Sequence, residues 1–373
     1  MKKKKKIALL SSILTFIVTL SVVLPIVLIK IKNKDDTPPT TPPSDPPPEV
    51  LYERSADGKY IYFGYYPQSI KANDVVVNPE PNADGYYEGN DGELYVKKRV
   101  EVDLISLGMT EEEVYNMGFM KDSTGSNLII GLDYYFKLEK LKWRILKEEN
   151  GSAFLVCDSI IDSTQYQANY IKEEYTYYAT DEQGNTLLAE DGETKIYANN
   201  YKHSTLRSFL NKDFYKMAFT TKQKEIINLT EVDNSDDSTL GYGNIYACEN
   251  TNDYIFALSY ADIKNEEYGF YSSHSVYDVE KMWKASDYSK SNFVMTLTEN
   301  WVVEGLGISK ASSIYTIQYE PYIETSSPWL RSPRSASSSS AYATGVVYST
   351  DRDSVFSTIY GVVPALYLNV NAA

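Results

Sequence analysis

Histidine and cysteine are scarce in this chain of 373 residues, which holds two of each. No set of three or four nitrogen, sulfur and oxygen ligands has the convergent spacing of a hydrolytic zinc site. Cys157 and Cys248 are too few for the bridged framework of a small secreted domain, so they either form one disulfide outside the cell or stay buried as small apolar side chains. A phosphate-binding loop, a dinucleotide fingerprint and a long internal repeat are also missing, which argues against the corresponding nucleotide-binding folds, solenoids and propellers.

Basic residues are concentrated at the N-terminus and are outnumbered elsewhere. Six of the 36 Lys and Arg residues lie in residues 1–30, where no Asp or Glu occurs, so the remainder carries 30 basic against 51 acidic side chains. Nucleic acid and anionic membrane surfaces both favour cations. The acidity therefore argues against nucleic acid and anionic lipid as partners of the main part of the chain.

The N-terminal end predicts a membrane anchor. Five lysines at residues 2–6 precede the uncharged stretch 7–29, which as a helix would span roughly 34 Å. A cleaved signal peptide would have a shorter apolar region ending in small residues, whereas this one ends in VLPIVLIKIK. Because lysines stay on the cytoplasmic side, residues 1–30 are predicted to be a cytoplasmic lysine cluster and a transmembrane signal anchor.

The proline-rich residues 31–50 are predicted to be an extended linker, either a spacer or a docking site for a proline-reading domain. With a single-pass anchor in the cell membrane, residues 51–373 would then be an extracellular domain. The patterns in this domain predict a strand at 60–66 ended by Pro67, two strands around Asn150-Gly151 within 136–162, and a closing strand at 361–370. They also predict a helix capped by Ser204 and a second helix opened by a Thr220/Gln223 capping box. Two insertions are predicted as well: residues 71–131, with a short helix at 110–117, and a hairpin at 175–201.

Six segments of this domain resemble, in order, a bacterial surface-protein family of unknown function. They are YIYFGYYPQS, LKWRILKEENGSAFLVCDSIID, HSTLRSFLNKDFYKMAF, DYIFALSYADI, SPWLRSP and YGVVPALYLN. That family resembles the C-type-lectin-like and sulfatase-modifying-factor (formylglycine-generating-enzyme-like) fold. The resemblance implies an α+β domain with hairpin insertions, first and last strands paired side by side, and irregular loops that carry function.

The stretch 335–358 is rich in Ser and Tyr and lies between two apolar motifs, which predicts a displayed loop or hairpin rather than a slack tail. Aromatic rings supply rigid contact area, and Ser and Asp supply adaptable hydrogen bonds, as in antibody paratopes. The sequence therefore predicts a non-catalytic recognition module that binds a glycan, a peptide or a cell surface. The predicted contact residues are Tyr342, Tyr348, Asp351, Arg352, Asp353 and Phe356.

Two other hypotheses for the function stay open: an envelope-associated enzyme and a purely structural surface protein. The fold resemblance also includes formylglycine-generating enzymes, which use copper held by two cysteines late in the sequence. This chain has no cysteine after Cys248. Acidic stretches at 233–237 and 351–353 could offer oxygens to Ca²⁺ but lack EF-hand spacing, so no cofactor is predicted. Trp143, Trp329 and Arg331 are predicted to belong to the structural core.

Overall fold

A computed structural model describes residues 50–241, 244–271, 279–334, 337–343 and 351–372. Contacts divide the chain into two units, Met1–Thr37 and Pro38–Ala373, and every described residue belongs to the second. The predicted anchor at 7–29 and most of the predicted linker lie outside the described residues. In the described part of the chain, no helix has the length and apolar character needed to cross a membrane.

The described residues form a mixed domain of strands and short helices. The strands are β1 (Glu53–Arg54), β2 (Tyr60–Ile70), β3 (Tyr87–Glu88), β4 (Leu94–Arg99), β5 (Asp133–Glu149), β6 (Ser152–Cys157), β7 (Ser159–Ile160), β8 (Asp162–Ser163), β9 (Tyr170–Glu173), β10 (Thr176–Ala179), β11 (Thr230–Val232), β12 (Thr251–Asp253), β13 (Trp283–Ala285), β14 (Thr325–Ser326), β15 (Trp329–Pro333), β16 (Ser340–Ala343), β17 (Asp351–Ser354), β18 (Gly361–Val362) and β19 (Ala365–Asn369). Seven of them form one sheet, and the others form small sheets of two or three strands.

The helices are short. The α-helices are Leu104–Leu107, Glu111–Met117, Thr205–Ser208, Tyr215–Ala218, Thr221–Lys224 and Asp287–Ser291; the π-helices are Phe209–Phe214, Trp301–Gly305 and Tyr315–Tyr319; and the 3₁₀-helices are Tyr201–His203, Asp236–Thr239, Asn244–Tyr246, Asp262–Lys264, Glu266–Tyr268, Val279–Lys281 and Glu320–Tyr322.

The long strand β5 organises the main sheet. It pairs antiparallel with β2, with β4 near its N-terminal end, and with β6 near its C-terminal end. The turn between β5 and β6 is Asn150-Gly151, and both residues have positive φ, 50° and 77°. Two left-handed residues give the turn whose twist matches a tight hairpin, and Asn-Gly is the pair that adopts it most readily. The predicted hairpin is therefore confirmed.

Two expectations about this sheet are wrong. Pro67 does not end β2, which continues to Ile70; the register with β5 becomes irregular just after the proline, where a missing N–H is tolerated. The first and last strands are not neighbours, because β19 pairs with β6 and the β5–β6 hairpin separates it from β2. This pairing differs from the one that the lectin-like resemblance implies.

Local capping signals place the central helices where the sequence predicts them. The Ser204 side chain accepts a hydrogen bond from the Arg207 N–H at the start of a helical stretch that runs from 205 to 218. Thr220 and Gln223 form a reciprocal capping box at the next helix. Leu206, Leu210 and Phe214 are buried along the longer stretch, so its apolar face packs into the core.

The centre of the core is aromatic and closely packed. The Trp143 side chain is fully buried, and its Nε1 donates a hydrogen bond to the Phe63 carbonyl at 2.7 Å. Phe219 packs against both residues, with ring centroids 5.0 Å from Phe63 and 6.3 Å from Trp143. Gly64 is required beside them, since its φ is 74° and a Cβ there would lie 2.5 Å from the Phe219 ring.

Candidate functional site

The predicted contact loop is a hairpin in the part that the structure describes. Strand β16 pairs antiparallel with β17, which places Tyr342 opposite Arg352 and Asp351 and Asp353 on the flanking positions. The side chains of these four residues lie outside the described part, and so does all of Tyr348. Phe356 is described in full, and its contacts define the candidate site.

Phe356 belongs to a cluster of three rings that we call the aromatic platform: Tyr170, Tyr177 and Phe356. The Phe356 ring stacks on Tyr170 with centroids 5.0 Å apart and lies 5.8 Å from Tyr177. Tyr170 and Tyr177 come from the paired strands β9 and β10, and their rings are 5.8 Å apart. Tyr170 remains 37% exposed, so the stack reaches the surface.

Hydrogen bonds fix the β9–β10 hairpin against the C-terminal segment. The Tyr177 N–H donates to Ser338 Oγ at 2.9 Å, and the Asn199 N–H donates to the Ser338 carbonyl at 3.1 Å. The Asn199 side-chain amide donates to the carbonyls of Ser337 and Ser340 at 3.1 and 3.0 Å. One of these four hydrogen bonds comes from the β9–β10 hairpin and three come from Asn199 beyond it, so the hairpin and the chain that follows it are both tied to residues 337–340.

A second aromatic cluster joins the β10 strand to residues farther along the chain. Tyr178 stacks on Tyr197 with centroids 5.7 Å apart, and Tyr246 meets Tyr197 edge-on at 4.9 Å. Since successive residues of a strand face opposite sides, Tyr177 and Tyr178 carry the two clusters on the two faces of β10. Strand β10 therefore presents tyrosine on both sides.

The tyrosine hydroxyls of these clusters are available for bonding. Within the described residues, the hydroxyls of Tyr170, Tyr177, Tyr178 and Tyr197 have no hydrogen-bond partner. Partial burial raises the pKa of Tyr170, with the neighbouring Tyr177 adding to the effect. A neutral phenol is both a donor and an acceptor, so this group can bond a polar ligand in either sense.

The predicted core residues lie under the C-terminal hairpin rather than on its surface. Trp329 is buried, and its Nε1 donates to the Thr164 carbonyl at 3.0 Å. The Arg331 guanidinium is buried as well; it contacts the Asp262 carboxylate at 2.7 Å and donates to the carbonyls of Ala257 and Asp233. Arg331 therefore ties three chain segments together at the base of β15.

The residues with nucleophilic or metal-binding chemistry are separate from the platform. Cys157 and Cys248 are both free thiols, so they do not form the disulfide that the sequence left open. Burial raises the pKa of Cys157 to about 12 and also raises that of Cys248, which keeps both thiols protonated. Burial lowers the pKa of His203. Among the described residues, no group of three His, Cys, Asp or Glu side chains is placed to hold a metal ion.

Comparison with known proteins gives a family but no function. Residues 150–370, more than half of the chain, match the family described as a domain of unknown function, DUF6273. The chain therefore belongs to this family. No curated protein and no solved structure matches the chain.

Sequence reasoning found one ring of the platform and missed the other two. Phe356 is predicted from the composition of its own loop, whereas Tyr177 lies within the predicted hairpin insertion at 175–201 and Tyr170 lies before it. The available signal was the density of tyrosine in residues 170–178, YIKEEYTYY, on two strands joined by a tight turn. Aromatic residues on an exposed hairpin are typical of a contact surface.

Proposed function

We propose that this chain is a non-catalytic recognition module that binds a glycan on the aromatic platform. The observation that carries the proposal is the stack of Tyr170, Tyr177 and Phe356, which is assembled from two distant segments and reaches the surface. Building such a stack for stability alone would favour full burial of the rings. Partial exposure of Tyr170 is what a contact surface requires.

The chemistry of the platform favours a sugar over a purely apolar ligand. One side of a sugar ring presents C–H groups, which pack on an aromatic ring, and its rim presents hydroxyls, which need hydrogen-bond partners. The platform offers rings together with the unpartnered hydroxyls of Tyr170 and Tyr177. Lys172 lies on the same strand as Tyr170, and its Nζ is 5.3 Å from the Tyr177 ring centroid, which adds a positive charge to the platform. Specific sites combine apolar contact area with a few polar groups in this way.

The location of the module is part of the same proposal. The predicted anchor at 7–29 and the proline-rich linker at 31–50 would hold the domain outside the cell at a distance from the membrane. Glycans of other cells or of the surroundings are then within reach. The proposal does not depend on the lectin-like relationship, since the contacts of the platform support it directly.

The test is binding of the purified full chain to a glycan array, with Tyr170→Ala as the variant. We expect retention of a defined set of glycans by the wild type and a loss of at least tenfold in Tyr170→Ala, because the outer ring of the stack is gone. Each array is run with Ca²⁺ and with a chelator, and equal retention is expected.

The matched control is Tyr135→Ala, which removes a tyrosine from another aromatic pair, formed with Tyr87 on the main sheet. This control should bind as the wild type does. No glycan retained by a folded wild type would contradict the proposal, and so would equal retention by the wild type and Tyr170→Ala. Binding that requires Ca²⁺ would place recognition at acidic residues instead of the platform.

A further inference from the structure

A cleft of about 240 Å³ lies between the end of the helix Glu111–Met117 and the segment that follows the helix Asp287–Ser291. Its lining includes Lys290, Thr296, Glu299 and Glu324, and shares no residue with the aromatic platform. The volume is below that of a site for a drug-sized molecule and suits a small metabolite.

Lys290 is the unusual member of this lining. Its side chain is 94% buried, being only 6% exposed, and its Nζ lies 3.9 Å from Asp287 Oδ1, which is too far for a hydrogen bond. The Asp287 carboxylate is already occupied, since it accepts bonds from the Ile70 N–H, the Ser123 N–H and the Ser123 hydroxyl. Within the described residues, the ammonium group therefore has a nearby charge but no hydrogen-bond acceptor.

The cleft leaves this ammonium open to a ligand that supplies acceptors. Its three N–H donors can bond the oxygen atoms of such a ligand. Thr296 adds a second unused polar group, because this residue is 5% exposed and its hydroxyl has no partner among the described residues. An ammonium and a hydroxyl that line one cleft are suited to holding a carboxylate.

The charged residues of the lining indicate which other charge the ligand carries. Glu299 and Glu324 are about half exposed and form surface ion pairs with Lys310 and Lys284. Exposed pairs contribute little and exchange partners readily. Besides Lys290, the lining holds a second cation, Lys121, together with these two carboxylates, so a ligand that carries charges of both signs is favoured over a dianion such as phosphate.

We propose that this cleft binds a free α-amino acid, with the ligand carboxylate on the Lys290 ammonium and the Thr296 hydroxyl, and the ligand amino group toward Glu299 and Glu324. The site is additional to glycan recognition. It gives the module a small-molecule ligand of its own.

The experiment is isothermal titration calorimetry of the purified full chain with each of the twenty common amino acids in turn. We expect saturable binding of at least one of them. Three probes dissect the recognition: the matching carboxylic acid without the amino group should bind at least tenfold more weakly, the matching amine without the carboxylate should not bind, and inorganic phosphate should bind more weakly than the amino acid.

Two variants assign the contact. Lys290→Met keeps the length of the side chain but removes the ammonium, and we expect affinity to fall at least tenfold. Thr296→Val keeps the shape but removes the hydroxyl, and we expect a fall of about threefold to tenfold. Lys222→Met, at an exposed lysine of the helix Thr221–Lys224, is the matched control and should bind as the wild type does.

The outcomes that overturn the proposal are distinct from those that overturn glycan binding. Absence of binding by any amino acid, unchanged affinity in folded Lys290→Met, or tighter binding of phosphate would each overturn it. If Lys290→Met does not fold, Thr296→Val decides, and unchanged affinity there overturns the proposal. Tyr170→Ala should bind the amino acid normally, so a failure of the platform leaves this result intact.

Discussion

Two tyrosines four positions apart, Tyr166 and Tyr170, show how differently one residue type is used in this domain. Tyr166 is fully buried, its ring meets Trp329 edge-on at 5.7 Å, and its single hydroxyl proton is shared between the Arg331 carbonyl at 2.9 Å and the Asn199 carbonyl at 3.2 Å. Tyr170 is 37% exposed, stacks on Phe356, and has no hydroxyl partner within the described residues.

The comparison separates a structural tyrosine from one available for contact. A buried hydroxyl must be paired, and its pairing fixes the segments on either side. A surface hydroxyl beside a ring stack is held in place by the ring, not by its own bond, and so is left for a partner. The predictions that follow test this division, from the largest effect on stability to the smallest.

Arg331→Met should cause the largest loss, because it breaks the buried network under Tyr166. The change leaves the Asp262 carboxylate without its cation and removes the Arg331 donors from the carbonyls of Ala257 and Asp233. We expect the free energy of unfolding to fall by about 3–5 kcal/mol, measured by urea denaturation. Arg54→Met is the control.

Arg54 forms an exposed ion pair with Glu148 at 2.8 Å, and its removal should cost less than about 1 kcal/mol. Equal losses in the two variants would mean that Arg331 is not a structural anchor.

Tyr166→Phe and Tyr170→Phe remove the same single oxygen from the two compared residues. The first removes the buried donor that the carbonyls of Arg331 and Asn199 share, so the free energy of unfolding should fall by about 1–3 kcal/mol. The second removes an unpartnered hydroxyl and should change stability by less than about 0.5 kcal/mol. A larger loss in Tyr170→Phe than in Tyr166→Phe would reverse the comparison. Urea titrations at a single pH measure both.

Asp162 is a buried, titratable partner of a tyrosine, so it extends the comparison to the pH dependence of stability. Its carboxylate accepts a hydrogen bond from the hydroxyl of the buried Tyr66 at 2.6 Å. Burial raises the pKa of Asp162 above its ordinary value of 3.8. A carboxyl with a raised pKa in the folded state contributes stability below its unfolded pKa and loses it as the pH rises through the folded pKa. The stability difference between the wild type and Asp162→Asn should therefore shrink as the pH increases above about 3.8.

Asp181 supplies a control of opposite sign. Hydrogen bonds from the Asn185 side chain and from backbone N–H groups lower its pKa. The difference between the wild type and Asp181→Asn should therefore grow as the pH rises toward about 3.8 and stay constant above that value. Urea denaturation between pH 3 and pH 7, chosen to bracket ordinary carboxyl values, measures both series. A difference for Asp162→Asn that is flat or rises with pH would contradict the assignment.

Tyr175→Ala should have the smallest effect. Tyr175 lies at the turn of the β9–β10 hairpin and is 91% exposed, so its removal should change the free energy of unfolding by less than about 0.5 kcal/mol. Its ring is not part of the platform, and glycan retention on the array should persist. Loss of retention in Tyr175→Ala together with normal retention in Tyr170→Ala would move the contact surface to the hairpin tip.

Features that depend on neighbouring residues were predictable from the sequence. The Asn150-Gly151 turn, the Ser204 cap and the Thr220/Gln223 capping box each follow from a few adjacent side chains. Each of these signals acts on the backbone within one turn, so no tertiary information is needed.

Features that depend on distant pairing were not predictable. The partner of β19 is set by the β5–β6 hairpin and not by the residues of β19, and the resemblance suggested another neighbour. The platform brings together Phe356 and Tyr170, which are far apart along the sequence. The residue pattern within either segment does not indicate which segment it contacts. Lys290 was missed because a lysine in a short polar helix predicts an exposed side chain, whereas tertiary packing buries it.

One hydrogen bond between the two ends of the described domain bears on whether the order of its segments along the chain can be changed. The Tyr52 hydroxyl donates to the Val370 carbonyl at 3.0 Å, so residues from the two ends of the described domain are neighbours in space. The domain is therefore suited to circular permutation. A short peptide could join its two ends, and new ends could be made at the exposed turn near Gly184. The order of the segments along the chain would change, and every strand pairing would remain.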